Sequence, residues 1–145
     1  MLYLDDITVG HRHVTRTHTI TTQEIMAYSR VYDPQPFHTD ERAAADSLFG
    51  GLAASGWHTA SLSMRLLVES GIPVAGGLIG LGGEISWPRP TRPGDILRVE
   101  SLVLEVTPSK SNPNRGTVTI RNETKNQRDE IVQIFTGKLR VPRRV

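Results

Sequence analysis

The stretch 53–70 constrains the fold of this chain more than any other. Its first half is built from small residues, Ala53, Ala54, Ser55, Gly56, Ala60, Ser61 and Ser63, and its second half crowds Leu62, Met64, Leu66, Leu67 and Val68. Arg65 and Glu69 are its only full charges. A helix of this composition is expected to be buried on most sides, with small residues where backbone must approach a sheet or a ligand. Gly71 and Pro73 stand just past its end and stop it. From Gly76 the period changes. Residues 77–87, 96–106, 117–124 and 131–141 read as four strands, separated by Pro-Gly and Asn-rich turns. Gly80, Gly82 and Gly83 inside the first of them predict a bend or a close backbone approach.

Ahead of the long helix, residues 1–13 read as irregular and 14–19 as a strand. Thr21 and Glu24 have capping-box spacing and open a helix over 22–32, with Ile25, Tyr28 and Tyr32 at helical intervals. Asp33-Pro34 ends it. Asp40 caps a short helix over 41–45, which Phe49-Gly50-Gly51 closes. Hairpin-length connections make the later strands antiparallel neighbours. One antiparallel sheet curled around one central helix accounts for the whole order. That is an α+β architecture, the hot dog arrangement, expected as a single domain over residues 1–145. Its long sheet edge and incompletely covered face predict a homodimer.

Composition removes several function classes. The 145-residue chain has no cysteine, so disulfides, thiolate metal sites and a cysteine nucleophile are excluded. The net charge is +2 and aromatics are few, which argues against nucleic-acid binding. The N-terminus has no signal-like pattern and no apolar run reaches a membrane span, so the cytoplasm is the expected location. His11, His13 and His18 lack partners at metal-ligand spacing, so no metal is expected. Ser61 and Ser63 lack the nucleophile elbow. Gly80-x-Gly82-Gly83 precedes no helix and is not a dinucleotide fingerprint. His58 lies two residues past Gly56, which turns it away from that backbone and gives it a structural reading.

Asp33-Pro34-Gln35-Pro36-Phe37-His38 sets a carboxylate and an imidazole five residues apart, and its two prolines keep the segment from being helical throughout. Such a pair can hold and deprotonate one water. Spacing alone fits a capped loop with a surface Asp and His equally well.

A longer pattern surrounds the pair. Tyr32-Asp33-Pro34-Gln35-Pro36-Phe37-His38-Thr39-Asp40, then Ala43-Ala44, Phe49-Gly50, Ala54-Ser55-Gly56 and finally Trp87-Pro88-x-Pro90-x-Arg92-Pro93-Gly94-Asp95 resemble the hydratase motif and later passages of the MaoC-like dehydratases, the (R)-specific enoyl-CoA hydratases. The resemblance spans nearly the whole chain. It implies cofactor-free, reversible addition of water to a trans-2-enoyl thioester, carried by CoA or acyl carrier protein, in fatty acid metabolism. Asp33 and His38 match the catalytic pair, and Gly56 matches the glycine whose N–H binds the thioester oxygen. Gln35 replaces the usual Asn, Ser55 replaces the usual His, and Met64 with Ser63 beside it stands where some members have a supporting serine. Gln35, Ser55 and Ser63 are the expected substrate-site residues around the trio. Arg89 and Arg92 are read either as ordinary exposed loop arginines or as residues at a pocket mouth, where they could meet CoA phosphates. Two other readings stay open: a hot dog thioesterase, for which Glu69 is the only acid on the long helix, and a non-catalytic subunit that binds acyl thioesters.

Overall fold

The computed structural model describes residues 1–144. Four helices and six strands come after a 3₁₀ turn at Leu4–Asp6: β1 (Arg12–Val14), β2 (His18–Thr19), α1 (Thr22–Tyr32), α2 (Pro36–Thr39), α3 (Glu41–Ala45), α4 (Gly56–Ser70), β3 (Ile79–Ser86), β4 (Ile96–Pro108), β5 (Arg115–Lys125) and β6 (Ile131–Pro142). The strands form one sheet in the order β1-β4-β5-β6-β3, with β2 also pairing β4. Every pairing between these strands is antiparallel. This is the α+β hot dog arrangement, with α4 against the sheet.

The expected strand over 14–19 is broken in two. Val14 pairs Glu100 while His18 pairs Leu97, so the leading segment holds one residue more than β4 across the gap. Thr15 causes the break. Its Oγ1 accepts from the Val99 N–H at 2.9 Å while its own N–H donates to the Val99 carbonyl at 3.0 Å, so a side chain stands in for a ladder group. The capping box at α1 is half made. Thr21 Oγ1 accepts from the Glu24 N–H at 3.2 Å, but the Glu24 carboxylate turns away to His18, 2.9 Å distant. In β3 the register slips between Gly80 and Gly82, where Gly82 takes φ +146°, a bulge that the glycines foretold.

The long helix departs from expectation at both its start and its burial. Residues 53–55 are extended, and Ser55 is the N-cap with ψ 139°. The helix therefore begins at Gly56, because Ala54 N–H donates to the Thr91 carbonyl and pins this segment to the loop after β3. His58, Thr59, Leu62, Ser63 and Leu66 are buried on one face. The opposite face leaves Trp57 (58%), Met64 (42%) and Val68 (67%) exposed, since the sheet covers α4 on one side only. Two apolar clusters flank the polar centre: Ile20, Ile25, Leu52, Leu62, Leu97 and Val132 at one end, and Ile72, Val74, Val103, Val118 and Val141 at the other.

Candidate active site

Asp33 closes α1, and the prolines shape the turn beyond it. Its φ of −152° and ψ of 69° take the chain out of the helix, as the residue before a proline must. Gln35 stays extended, and Pro36 then occupies the first position of the single turn α2, where a missing N–H costs nothing. That turn carries His38 inward to 4% exposure. Its Nδ1 lies 2.6 Å from the Ala53 carbonyl. A carbonyl oxygen only accepts, so Nδ1 carries a proton, and in the neutral form of the ring Nε2 presents a lone pair. Nε2 stands 3.3 Å from Asp33 Oδ2. Two acceptors at that separation do not bond each other directly, but both can receive hydrogens of one water.

The other carboxylate oxygen is occupied. Gln35 Nε2 donates to Asp33 Oδ1 at 2.6 Å. Partial burial pushes the Asp33 carboxyl up, yet the hydrogen bond from Gln35, the nearby Ser55 hydroxyl and the charge of a protonated His38 together pull it below the ordinary carboxylate value. The Ser55 hydroxyl is fully buried and has no hydrogen-bond partner of good geometry, though it lies near enough to Asp33 to favour the charged form.

Gly56, Ala54, Thr59 and His38 line one cavity of about 250 Å³ together with Trp87, Arg89 and Thr91. The Gly56 N–H, at the first position of α4, has no intrahelical acceptor and donates to no backbone carbonyl among the described residues. It points from the positive end of a 15-residue helix. A Cβ at this position would come within 2.6 to 2.9 Å of the Trp87 indole. Glycine is thus required by tryptophan packing, which the sequence does not reveal.

Other expected residues fall elsewhere. Ser63 lines a neighbouring cavity; its hydroxyl lies 2.7 Å from the Thr59 carbonyl and 2.6 Å from Thr124 Oγ1, tying α4 to β5. Arg92 is directed inward. It holds the carbonyls of Gly51 (2.9 Å), Leu52 and Phe49, and so fixes the loop that delivers Ala53 to His38. Arg89 remains at the rim, 3.1 Å from Glu130. His58 stacks on Tyr28 with ring centres 4.4 Å apart, and burial pushes its pKa down, consistent with its structural reading. His13 bonds the Ser70 carbonyl. Among the described residues no group of three His, Asp or Glu could hold a metal, and no helix is long and apolar enough to cross a membrane. Glu69, the acid a thioesterase would need, lies at the far end of α4 between Arg16 and Arg65.

The roles of Ala53 and Arg92 escape the sequence, whereas Trp87 walls the cavity as its residue type suggests. An arginine serving three carbonyls has no acidic partner to betray it, and a main-chain acceptor leaves no signature in residue type.

The chain is similar to known proteins over most of its length. A family model described as MaoC like domain matches residues 7–126. The crystal structure of a MaoC-like dehydratase from Rhodospirillum rubrum is 56% identical, covers 100% of this chain and 99% of its own, and superposes with a TM-score of 0.98. YdeM, an uncharacterized protein of Bacillus subtilis, is 32% identical over 95% of this chain and 96% of its own length. A 3-hydroxybutyryl-CoA dehydratase of Methylorubrum extorquens is 29% identical over 76% of this chain and 69% of its own length. The motif around Asp33 and His38, the hot dog fold and the match over most of the chain converge: this chain belongs to the MaoC-like dehydratase family.

Proposed function

We propose that this chain interconverts a trans-2-enoyl thioester and the (R)-3-hydroxyacyl thioester by adding or removing water. The observation that carries the reading is the 3.3 Å approach of His38 Nε2 to Asp33 Oδ2, with His38 Nδ1 fixed on the Ala53 carbonyl, in a site that also holds the Gly56 N–H. In the hydration direction, a water held by both acceptors loses a proton as its oxygen attacks the β-carbon. The electron pair of the double bond moves onto the thioester oxygen. The Gly56 N–H, with the helix dipole behind it, stabilises that developing enolate. A proton from the pair then reaches the α-carbon, and thioester, water and charge are balanced without any cofactor.

The apolar room beside the site, lined by Met64, Leu67 and Phe135 among others, suits an acyl tail. Arg89 at the rim suits a phosphorylated carrier, CoA or acyl carrier protein. The exposed face of Trp57, Met64 and Val68 and the free edge of β3, with Ile79 and Leu81 exposed, favour a homodimer.

The purified protein is expected to consume crotonyl-CoA, seen as loss of the conjugated thioester absorbance, and to yield the (R)-alcohol on chiral separation. Release of free CoA thiol instead would establish a thioesterase. Binding of crotonyl-CoA without turnover would establish a non-catalytic subunit.

A further inference from the structure

One indole lines the site cavity and touches two residues, Gln133 and Trp57, that line a second. The site cavity, about 250 Å³, is walled by Trp87 beside Gly56. The second, about 400 Å³ and mainly apolar, lies between α4 and the inner sheet face and includes Trp57, Gln133 and Phe135. Trp87 is held from three directions. Its Nε1 donates to Gln133 Oε1 at 3.0 Å. Its ring lies so close over Gly56 that no Cβ would fit. Its edge meets Trp57 with ring centres 5.2 Å apart at 81°. Gln133 is itself buried, at 3% exposure.

We propose that Trp87 and Gln133 form a partition that makes this site selective for short acyl groups, with Trp87 as the specificity-determining residue. The inference rests on the hydratase reading. A thioester whose oxygen meets the Gly56 N–H and whose β-carbon faces Asp33 and His38 must send its tail past the indole to reach the larger apolar volume. An acyl group that ends within the first cavity needs no rearrangement. A longer one must displace the ring, which strips Gln133 of its partner in a buried setting and loses the packing on Gly56 and Trp57. Discrimination comes from the cost of that displacement, which a short substrate never incurs.

The test compares kcat/KM for crotonyl-CoA and trans-oct-2-enoyl-CoA in the wild type, Trp87→Ala, Trp87→Phe and Gln133→Leu. The wild type should favour crotonyl-CoA. Trp87→Ala should shift the octenoyl-to-crotonyl ratio upward by about tenfold or more, the scale set by apolar pocket contacts. Gln133→Leu, which breaks the hydrogen bond, and Trp87→Phe, which breaks it and shrinks the ring, should shift it the same way by less. A second readout needs no turnover: octanoyl-CoA should bind Trp87→Ala more tightly than wild type by calorimetry, while butyryl-CoA gains nothing. An unchanged ratio in variants that melt like the wild type overturns the partition and leaves the hydratase reading standing. So does a wild type that handles both substrates equally. A wild type inert toward both substrates overturns the hydratase reading and the partition together.

Discussion

At the far end of α4 the side chains of Arg65, Glu69 and Ser70 are all matched. Glu69 is held by Arg16 and, at 2.9 Å, by Arg65. Ser70 Oγ donates to the Leu66 carbonyl at 3.0 Å and accepts from the Arg16 N–H at 2.9 Å, while its own carbonyl takes His13. At the near end the same helix leaves groups open. The Gly56 N–H meets no backbone acceptor, the Ser55 hydroxyl is buried without a well-placed partner, and His38 Nε2 confronts another acceptor. Buried polar groups are normally satisfied, so the open Ser55 hydroxyl, next to the open Gly56 N–H and the Asp33–His38 pair, suits a site that receives a ligand. The difference between the ends separates groups that hold the helix in place from groups that would hold water and a thioester.

Substitutions at the near end should cost activity, and those at the far end should not. On the proposed mechanism His38→Ala removes the group that takes the water's proton, and kcat should fall by about 100- to 10,000-fold in the crotonyl-CoA assay. Gly56→Ala forces the Trp87 ring to shift and displaces the donor. Its loss should approach the roughly 100-fold or more seen when an oxyanion donor is removed, in kcat more than in KM.

Gln35→Leu is a smaller break in the same place. It frees Asp33 Oδ1 from its 2.6 Å bond, and a loss of about tenfold is expected, in line with one neutral-to-charged hydrogen bond. The bond favours the carboxylate, so its removal raises the Asp33 pKa and moves the acidic limb of kcat/KM to higher pH. The stability sign is fixed too. Because the folded Asp33 pKa is lowered, its contribution is present above the unfolded value of about 3.9 and is lost as pH falls through the folded value. Urea midpoints of wild type and Asp33→Asn should therefore keep a constant separation above the unfolded value and converge as pH falls below it through the lowered folded value. The smallest effect belongs to Glu69→Gln. Its pair with Arg65 and Arg16 is exposed, so the melting temperature should move slightly and kcat not at all.

Much of this contrast was visible in residue order. The period change after Gly76, the caps at Thr21 and Asp40 and the glycines of β3 all act locally, so they could be read directly. The pair itself was legible because the prolines that shape the turn are its neighbours in sequence. The hidden part depends on distant strands. The start of α4 moves from Ala53 to Gly56 because Thr91 takes the Ala54 N–H. Arg92 faces inward because three carbonyls of the loop before α4 converge on it. Residue types also suggested a helix buried all round, whereas one face is apolar and exposed, since the sheet reaches only one side.

The central claim is that Asp33 and His38 act on one water as a unit. A double-mutant cycle on crotonyl-CoA hydration, with Asp33→Asn, His38→Ala and the two combined, tests it most directly. Residues that act together lose their effect together, so the double variant should be about as slow as the slower single variant. Losses that multiply independently, or substantial activity in the double variant, would contradict the shared water.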